Sequence, residues 1–402
     1  MRAFLVAAVV AVACARALPF SPYPLWATDV GSPVSRVVLA GDYVLVAPRG
    51  NGHARFGAKM LSRATGDVVW TALANYTAAH RDPKGSVGYA GPAGGPSSSA
   101  PGVVAFGFAG DFEVHGVDGM SGAPMWRYNL VAAGHTRGCA KIDWVSGGTG
   151  RIFVATECAV LALNTTGGLL WEHRLQYSDG DMNMREIQIW QNRVGILVAQ
   201  GMAVGIDVRT GGALWSSRGN VQDWTINLYG QAVLSPDGAV AVEGLATNSQ
   251  LTSNNGTLAV LNANNGATLV QAIFEGNSVG TVPGVGAGVG CFNSYLQVVA
   301  PYTYVTCYNY TSGKQTFTAP YMWYVSSVTV GANVYVTAVP TESQYSANLY
   351  AYAPADGTAL WNVPSPFSRE AAVYQNGVLY GGGGEYSASK TSVTALQVEP
   401  QQ

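Results

Sequence analysis

A short phrase recurs along the chain and ends each time in a large apolar residue. The phrase joins a polar residue and a glycine, often Thr-Gly, to three variable residues and then to the apolar one. The clear copies are TGDVVW, SGAPMW, TGGLLW, TGGALW and DGTALW, which end at Trp70, Trp126, Trp171, Trp215 and Trp361. Two degenerate copies, NGATLV and SGKQTF, end at Val270 and Phe317. Such regular self-similarity predicts a repeat architecture.

Each repeated unit contains about four strand candidates. The phrase follows a short alternating segment, such as AVLALN before Thr165, and this pattern predicts a half-buried strand. The glycine provides the positive φ of a tight turn, and the apolar end of the phrase forms the second arm of a hairpin. Further candidates lie upstream, among them RIFVAT at Arg151 and VGILVA at Val194. Without insertions the unit is about 45 residues long, which is the period of a four-stranded propeller blade.

The two ends of the chain complete one another. The segment YPLWATDV carries Trp26 about one period before Trp70, but no strands precede it. The C-terminal segments GVLYGG and SVTALQVEP lack a closing phrase. We therefore expect an all-β, eight-bladed β-propeller of four-stranded blades, closed by pairing of the N- and C-terminal strands. Closure removes the sheet edge that an open array would expose. Residues 18–402 are expected to form this single domain, with loop-like insertions near 82–102 and 247–256.

The unit resembles the repeat of the pyrroloquinoline-quinone-like (PQQ-like) family, which reads approximately LYALDAxTGxxxW. The resemblance covers nearly all of the chain after residue 17. It implies that each closing tryptophan packs between neighbouring blades, where it has a structural role. Val270 and Phe317 depart from the pattern, so we expect weaker junctions at those two positions. The tryptophans to which this role carries over are Trp26, Trp70, Trp126, Trp171, Trp215 and Trp361.

The N-terminus predicts export. Arg2 precedes an apolar run from Ala3 to Val12 that is too short to span a bilayer, and Ala15-Arg-Ala17 offers a cleavage site. We interpret residues 1–17 as a signal peptide and expect a secreted, extracellular protein. Cys14 leaves open a bacterial lipoprotein signal, although AVAC lacks the expected leucine. Later segments stay below about 18 uninterrupted apolar residues, so no transmembrane segment is expected.

An exported chain can form disulfides and carry N-linked glycans. Four cysteines follow Cys14 and allow three connectivities. We expect Cys139–Cys158 and Cys291–Cys307, since each pair then lies within one repeat unit; free thiols are the alternative. Four Asn-x-Thr sequons predict a glycoprotein. They begin at Asn75, Asn164, Asn255 and Asn309.

The composition and motifs argue against several function classes. With 11% charged residues and a net charge of -2, the chain has no basic stripe for nucleic acid. Its histidines show no metal-binding or catalytic spacing. The segment DGDMN at Asp179 starts like a calcium loop but lacks its glycine and glutamate. The resembled family includes quinone dehydrogenases with an adjacent cysteine pair, an aspartate base and a calcium site, and no two cysteines are adjacent here. We therefore expect no cofactor, no metal and no assigned catalytic residue.

The remaining candidate site is one mouth of the central channel. In a propeller the first residues of each innermost strand gather at this mouth. Charged and aromatic residues fall there at equivalent positions: Arg36, Arg137, Arg185, Glu186, Asp223, Trp224, Trp323, Tyr324, Arg369 and Glu370. The arginines either pair with the acidic residues and tie the loops together, or form a basic mouth for an anionic or glycan ligand.

Together these patterns favour a secreted, non-enzymatic binding scaffold, expected to be a monomer, that engages a protein or glycan partner. A PQQ-dependent dehydrogenase and an outer-membrane assembly lipoprotein are the alternatives. Fold alone does not choose among them, because function resides in sites added to a fold.

Overall fold

The alternating segments of the repeat form strands. The computed structural model describes residues 20–49, 56–73, 84–92, 95–97, 99–148, 150–175, 187–199, 201–218, 225–247, 255–274, 282–296, 302–319, 324–339, 347–367, 372–383 and 391–400. These residues form 32 strands and no helix, arranged as eight four-stranded antiparallel sheets. The sheets are the blades of a propeller, so the predicted fold class is confirmed.

The strands follow one another from the inside of each blade to its outside. Blades 1 to 4 consist of β2 (Val34–Ala40), β3 (Tyr43–Pro48), β4 (Ala58–Ser62) and β5 (Val68–Ala72); β6 (Gly85–Ala90), β7 (Val103–Phe108), β8 (Glu113–Asp118) and β9 (Pro124–Asn129); β10 (Ile142–Gly148), β11 (Arg151–Thr156), β12 (Ala159–Asn164) and β13 (Leu169–Arg174); and β14 (Gln188–Trp190), β15 (Val194–Ala199), β16 (Met202–Asp207) and β17 (Ala213–Ser217).

Blades 5 to 7 repeat this order. They consist of β18 (Thr225–Leu234), β19 (Ala239–Thr247), β20 (Asn255–Asn262) and β21 (Thr268–Phe274); β22 (Gly284–Gly286), β23 (Val289–Leu296), β24 (Tyr302–Asn309) and β25 (Gln315–Thr318); and β26 (Tyr324–Val330), β27 (Val334–Val339), β28 (Asn348–Tyr352) and β29 (Ala359–Pro364).

Blade 8 is assembled from both ends of the chain. Its three inner strands are β30 (Val373–Gln375), β31 (Val378–Gly382) and β32 (Ser392–Gln397), and its outermost strand is β1 (Tyr23–Asp29), which pairs antiparallel with β32. The Val30 amide donates to the Thr391 carbonyl at 2.9 Å, and the Thr391 hydroxyl donates to Asp29 Oδ1 at 2.7 Å. The predicted closure by the N- and C-terminal strands is therefore confirmed.

The alternation of strand direction sorts the connections onto two faces. On one face, here called the upper face, lie the loops between successive blades and the turn between the second and third strand of each blade. On the other, the lower face, lie the remaining turns, including every Thr-Gly turn of the repeat. The buried apolar residues form clusters that bridge adjacent blades, as where Leu45 and Met60 of blade 1 join Val87 and Phe106 of blade 2.

The closing tryptophan of one blade docks onto the glycine turn of the next blade. At five junctions the indole Nε1 donates to a backbone carbonyl in that turn, at 2.8–3.1 Å. The indoles and their acceptors are Trp26 and Arg63, Trp70 and Gly119, Trp126 and Thr165, Trp171 and Val208, and Trp215 and Ala263. Each copy of the repeated phrase thus provides a docking residue for the next blade and a glycine turn, here called the receptor, for the docking residue of the preceding blade.

Glycine is required in these turns for two reasons. The receptor glycines have φ between 68° and 83°, where a side chain strains the backbone. A Cβ on any of them would lie 2.5–2.8 Å from an indole carbon. These glycines are Gly66, Gly122, Gly167, Gly211 and Gly266.

The two degenerate copies differ from one another. The Phe317 ring packs on Gly357 of blade 7 as the indoles do, although it has no N–H to donate. Gly313 is the equivalent glycine at the junction of the smaller Val270, and a Cβ placed on it would meet no described heavy atom within 4 Å. At that junction the Tyr310 hydroxyl donates to Asp237 of blade 5 instead. The expected weakness of the two junctions stays a prediction.

A β-bulge explains why the residue before the docking residue is apolar yet exposed in seven of the eight blades. In blade 6 this residue is the half-buried Thr316. In each blade one extra residue of the outermost strand interrupts the pairing, which turns the docking residue inward and its predecessor outward. The same bulges break up an exposed sheet edge. The extra residues are Leu25, Val69, Met125, Leu170, Leu214, Leu269, Thr316 and Leu360.

The insertion expected near 82–102 is in part a strand, which corrects the sequence-based interpretation. Strand β6 lies inside this segment and forms the innermost strand of blade 2. Its glycines permit close contact, since a Cβ on Gly88 would lie 2.3 Å from the Ser146 backbone. Near 247–256, β19 ends at Thr247 and β20 begins at Asn255, and the intervening residues lie outside the described part.

Both expected disulfides are present. Cys139 is linked to Cys158, and Cys291 is linked to Cys307. The second pair joins directly opposite residues of β23 and β24 and is fully buried. The first pair joins the loop before β10 to the turn between β11 and β12 on the upper face. The local connectivity is therefore confirmed.

The remaining predictions about the chain fall partly outside the described residues. Residues 1–17 and Asn75 lie outside them. Asn164 and Asn309 are half-buried in Thr-Gly-type turns, where each Oδ1 accepts backbone amides, and Asn255 is the first residue of β20. Glycosylation of these sites stays a prediction. Within the described residues, no helix is long and apolar enough to cross a membrane.

The docking contact can be separated from backbone strain by comparing two glycines. We expect Gly211→Ala to destabilise the protein by about 2–5 kcal/mol, since it adds a clash with Trp171 to the cost of a positive φ. Gly313→Ala has a similar φ but meets no ring, so we expect a loss of about 1–2 kcal/mol. Denaturant unfolding of both variants measures the difference. Equal losses would contradict the docking account.

Candidate functional site

The loop between β9 and β10 forms the upper edge of blade 3. Its backbone folds into consecutive turns, in which the His135 amide donates to Leu130 at 3.1 Å and the Cys139 amide donates to Thr136 at 2.9 Å. Leu130 and Ala140 are fully buried and hold the two ends of the loop. The loop is therefore an ordered wall rather than a loose connection.

A cleft lies between this loop and the outer strands of blade 3. Its volume is about 470 Å³, within the range of about 300–1,000 Å³ usual for ligand sites. Its apolar lining comes from Ala159, Leu175 and the Cys139–Cys158 disulfide. Its polar lining comes from His135 and Thr136 of the loop and from Glu172 and Arg174 of β13. The lining combines apolar surface with a few polar groups, as binding sites do.

Charged side chains flank the cleft in pairs. Arg174 Nε donates to Glu172 Oε1 at 2.8 Å, and the Arg174 side chain is 82% exposed. Lys141 Nζ lies 3.5 Å from Glu157 Oε1 beside the disulfide. Arg137 is exposed in the loop itself. Arg174 thus lines the cleft, and Arg137 is an exposed residue of the neighbouring loop.

Asp143 occupies a special position at the start of the innermost strand. It is the extra residue of a bulge between β10 and β11, and Ser35 and Ser326 are the extra residues of equivalent bulges in blades 1 and 7. Both serine hydroxyls donate to carbonyls of the second strand, at 3.3 Å to Ala47 and 3.0 Å to Thr337. Asp143 Oδ2 is buried and has no hydrogen-bond partner among the described residues.

The surroundings of Asp143 favour its protonated form. Burial raises the pKa of this carboxyl to about 7, and the Glu157 carboxylate acts in the same direction. Lys141 opposes them with a smaller effect. The carboxyl therefore titrates near neutral pH, where a small change in pH alters the fraction that is charged.

Arg36 and Trp144 meet across the innermost strand of blade 2. The Arg36 guanidinium carbon lies 5.1 Å from the centroid of the Trp144 ring, a cation–π contact. The two residues belong to β2 and β10, which flank β6. The contact links blades 1 and 3 near the upper end of the channel.

Three of the predicted mouth residues lie in the described part. Arg36 is half-buried on β2, Arg137 is exposed in the loop before β10, and Tyr324 is the half-buried first residue of β26. All three belong to the upper face. Arg185, Glu186, Asp223, Trp224, Trp323, Arg369 and Glu370 lie outside the described residues. A shared basic mouth therefore stays a prediction.

The sequence reasoning missed the residues that shape blade 3. Asp143 and Trp144 stand in CAKIDWV, where a charged residue interrupts an apolar strand pattern, and this interruption was an available signal. His135, Glu172 and Arg174 carried no such signal. They meet only because the disulfide and the blade topology bring the loop beside β13.

The repeat matches a family model described as outer membrane protein assembly factor BamB, over residues 110–272 and 254–400. These two matches cover more than half of the chain. The chain belongs to this family of PQQ-like repeat β-propellers. The chain matches no curated protein sequence at a significant level.

Solved structures share the fold at low identity. BamB from Moraxella catarrhalis is 14% identical with a TM-score of 0.62, over 94% of this chain and 100% of that one. Sqt1 from Saccharomyces cerevisiae is 14% identical with a TM-score of 0.58, over 94% and 99%. Quinohemoprotein alcohol dehydrogenase ADHIIG from Pseudomonas putida HK5 is 10% identical with a TM-score of 0.56, over 95% and 77%. At such identities the similarity shows the fold alone.

The cysteines do not fit the quinone site of the dehydrogenases in this fold class. Those enzymes are expected to use an adjacent cysteine pair, whereas the cysteines here form disulfides over separations of 19 and 16 residues. In the part of the chain that the structure describes, no three His, Cys, Asp or Glu side chains are grouped to hold a metal ion.

The titration of Asp143 makes a pH-dependent prediction. The folded protein keeps this proton up to about pH 7, whereas the unfolded chain releases it near 4, so folding is penalised increasingly between these values. We expect Asp143→Asn to gain stability relative to the parent as the pH rises from 4 to 8, by up to about 4 kcal/mol at about 1.4 kcal/mol per pKa unit. Denaturant unfolding at each pH measures this.

Asp356→Asn is the control for that series. Hydrogen bonds from Thr358 lower the pKa of the exposed Asp356, so its contribution to stability is present above the unfolded pKa and lost on acidification. The free energy of unfolding of Asp356→Asn, relative to the parent, should therefore fall as the pH rises, which is the opposite of the trend for Asp143→Asn. A pH-independent difference for Asp143→Asn would show that its carboxyl is already ionised in the folded protein.

Proposed function

We propose that this protein is an exported, non-enzymatic binding scaffold that engages a protein or glycan partner through the upper face of blade 3. The observation that carries the proposal is the preformed cleft between the β9–β10 loop and strands β12 and β13. Hereafter it is called the blade 3 cleft.

The blade 3 cleft is suited to binding because its walls are already ordered. The disulfide fixes the loop to the turn between β11 and β12, and backbone hydrogen bonds fold the loop itself. A partner therefore has little chain to immobilise, which reduces the entropic cost of association. A rigid, mixed lining also gives a partner both apolar contact and oriented polar groups.

The two exposed arginines indicate what the partner presents. Arg174 donates to Glu172 through Nε, and the η nitrogens of Arg174 remain available to a ligand. Guanidinium groups bind carboxylates through paired hydrogen bonds, so Arg137 and Arg174 suit an acidic side chain or an acidic sugar. The family model carries the description of an assembly factor, and this supports a scaffold role.

Export is supported by the cysteine chemistry. Two disulfides are typical of proteins that fold in an oxidising compartment. The predicted signal peptide at residues 1–17 and the four sequons agree with a secreted glycoprotein.

The test uses labelled protein on a glycan array and on an array of purified extracellular proteins. We expect the parent to bind a defined set of acidic ligands and Arg137→Ala/Arg174→Ala to lose at least about tenfold in affinity for them, since each ionic hydrogen bond contributes about 1.5–3 kcal/mol. The control is Arg209→Ala, which removes another exposed arginine, in a lower-face turn, and should bind as the parent does. Melting temperatures should be the same for all three proteins.

Three results would contradict the proposal. The first is the absence of binding on both arrays, and the second is binding that survives the double substitution. The third is evidence of an enzyme: a large rise in melting temperature with pyrroloquinoline quinone and Ca²⁺, together with alcohol-dependent dye reduction.

A further inference from the structure

The two disulfides differ in their access to solvent. Cys291 and Cys307 are fully buried on the two central strands of blade 6, in the core between blades 6 and 7. Cys139 and Cys158 are half-buried and form part of the wall of the blade 3 cleft. The chain therefore carries one disulfide inside the core and one at an open surface.

Access decides whether a disulfide can react in the folded protein. An attacking thiolate must reach a sulfur atom, and the exposed disulfides of proteins are usually the labile ones. A cleft of about 470 Å³ has room for a small thiol beside the bond. The buried pair of blade 6 becomes reachable only when the blade opens.

We propose that Cys139–Cys158 is a redox-modification site, reduced by small thiols in the folded protein while Cys291–Cys307 stays intact. A thiolate attacks one sulfur of the pair, the S–S bond breaks, and the other sulfur leaves as a thiolate. A second thiol attacks the resulting mixed disulfide. The net change consumes two thiols and yields one small-molecule disulfide and two protein thiols.

The lining of the cleft includes one cation as well as the disulfide. Arg174 lines the cleft with the disulfide, and nearby cations lower the pKa of a cysteine thiol. Glu172 pairs with Arg174 and weakens this effect without removing the positive charge from the wall. Lys141 lies two residues from Cys139 but pairs with Glu157, so it adds no net positive charge beside the disulfide.

Reduction would loosen one wall of the cleft. The covalent tie between the loop and the β11–β12 turn is lost, and the loop keeps its own turns and its buried anchors, Leu130 and Ala140. The blade itself remains paired through β10 to β13. The predicted effect is thus local: the upper edge of blade 3 opens while the propeller stays folded.

The first measurement is differential alkylation of the native protein. The full chain is incubated with reduced glutathione or dithiothreitol, treated with iodoacetamide and mapped by mass spectrometry. We expect Cys139 and Cys158 to be labelled more than about tenfold faster than Cys291 and Cys307, since the buried pair requires local unfolding. In guanidinium the two pairs should be labelled at similar rates.

The second measurement reports the loop directly. Trypsin can cleave after Arg137 in the loop and after Arg209 in the lower-face turn of blade 4, and both residues are exposed. We expect reduction to accelerate cleavage after Arg137 at least severalfold and to leave cleavage after Arg209 unchanged. The double variant Cys139→Ser/Cys158→Ser should show the accelerated pattern without any thiol.

Three results would overturn the proposal: equal reduction rates for the two disulfides in the native protein, reduction of Cys139–Cys158 only at denaturant concentrations that unfold the propeller, or unchanged cleavage after Arg137. These measurements on the parent protein decide the matter even if the double variant does not fold. They do not depend on the partner of the cleft, so their failure leaves the proposed binding function standing.

Discussion

The contact between an indole ring and the glycine turn of the next blade determines the rest of this structure. Each ring buries about 150–250 Å², which corresponds to an upper bound of about 4–6 kcal/mol per junction. The indole N–H also satisfies a carbonyl of a turn that the ring would otherwise cover. Because one phrase supplies the ring for one neighbour and the turn for the other, a blade can dock on both of its neighbours. The circle of eight blades closes when Trp26 of β1 docks on Gly66 of blade 1.

Placing the docking contacts on the lower face leaves the upper face open to variation. The lower turns are constrained by glycine, by a bulge and by the neighbouring ring. The upper loops carry no such requirement and differ in length from blade to blade, as loops that carry function commonly do. In blade 3 this freedom is used for an ordered loop, a half-buried disulfide and a cleft. The Asp143 bulge and the Arg36–Trp144 contact lie at the same end of the blade.

The sequence predicts the parts of the structure that repeat and misses those that do not. Blade number, end-to-end closure, five of the six predicted docking tryptophans and both disulfides follow from periodic patterns. Strand β6 was missed because glycines in a Pro/Gly/Ser-rich run lower strand propensity, while their value lies in close contact with blade 3. The cleft was missed because Glu172 and Arg174 reach the loop through blade topology, which has no local signature. At Gly313, the sequence pattern predicts a docking turn, but it does not predict that the Val270 side chain fails to reach this glycine.

Hydrogen exchange of the indole protons tests the docking account most directly. In a protein labelled with ¹⁵N-tryptophan, each Nε1–H can be assigned by a single Trp→Phe substitution. The account predicts slow exchange for Trp26, Trp70, Trp126, Trp171 and Trp215, whose bonds to the next blade are buried or partly buried. It predicts fast exchange for Trp190, whose bond to Asn264 of the next blade is exposed to solvent. If the five indole protons exchange as fast as that of Trp190, the tryptophans do not lock the blades together, and the central claim is wrong.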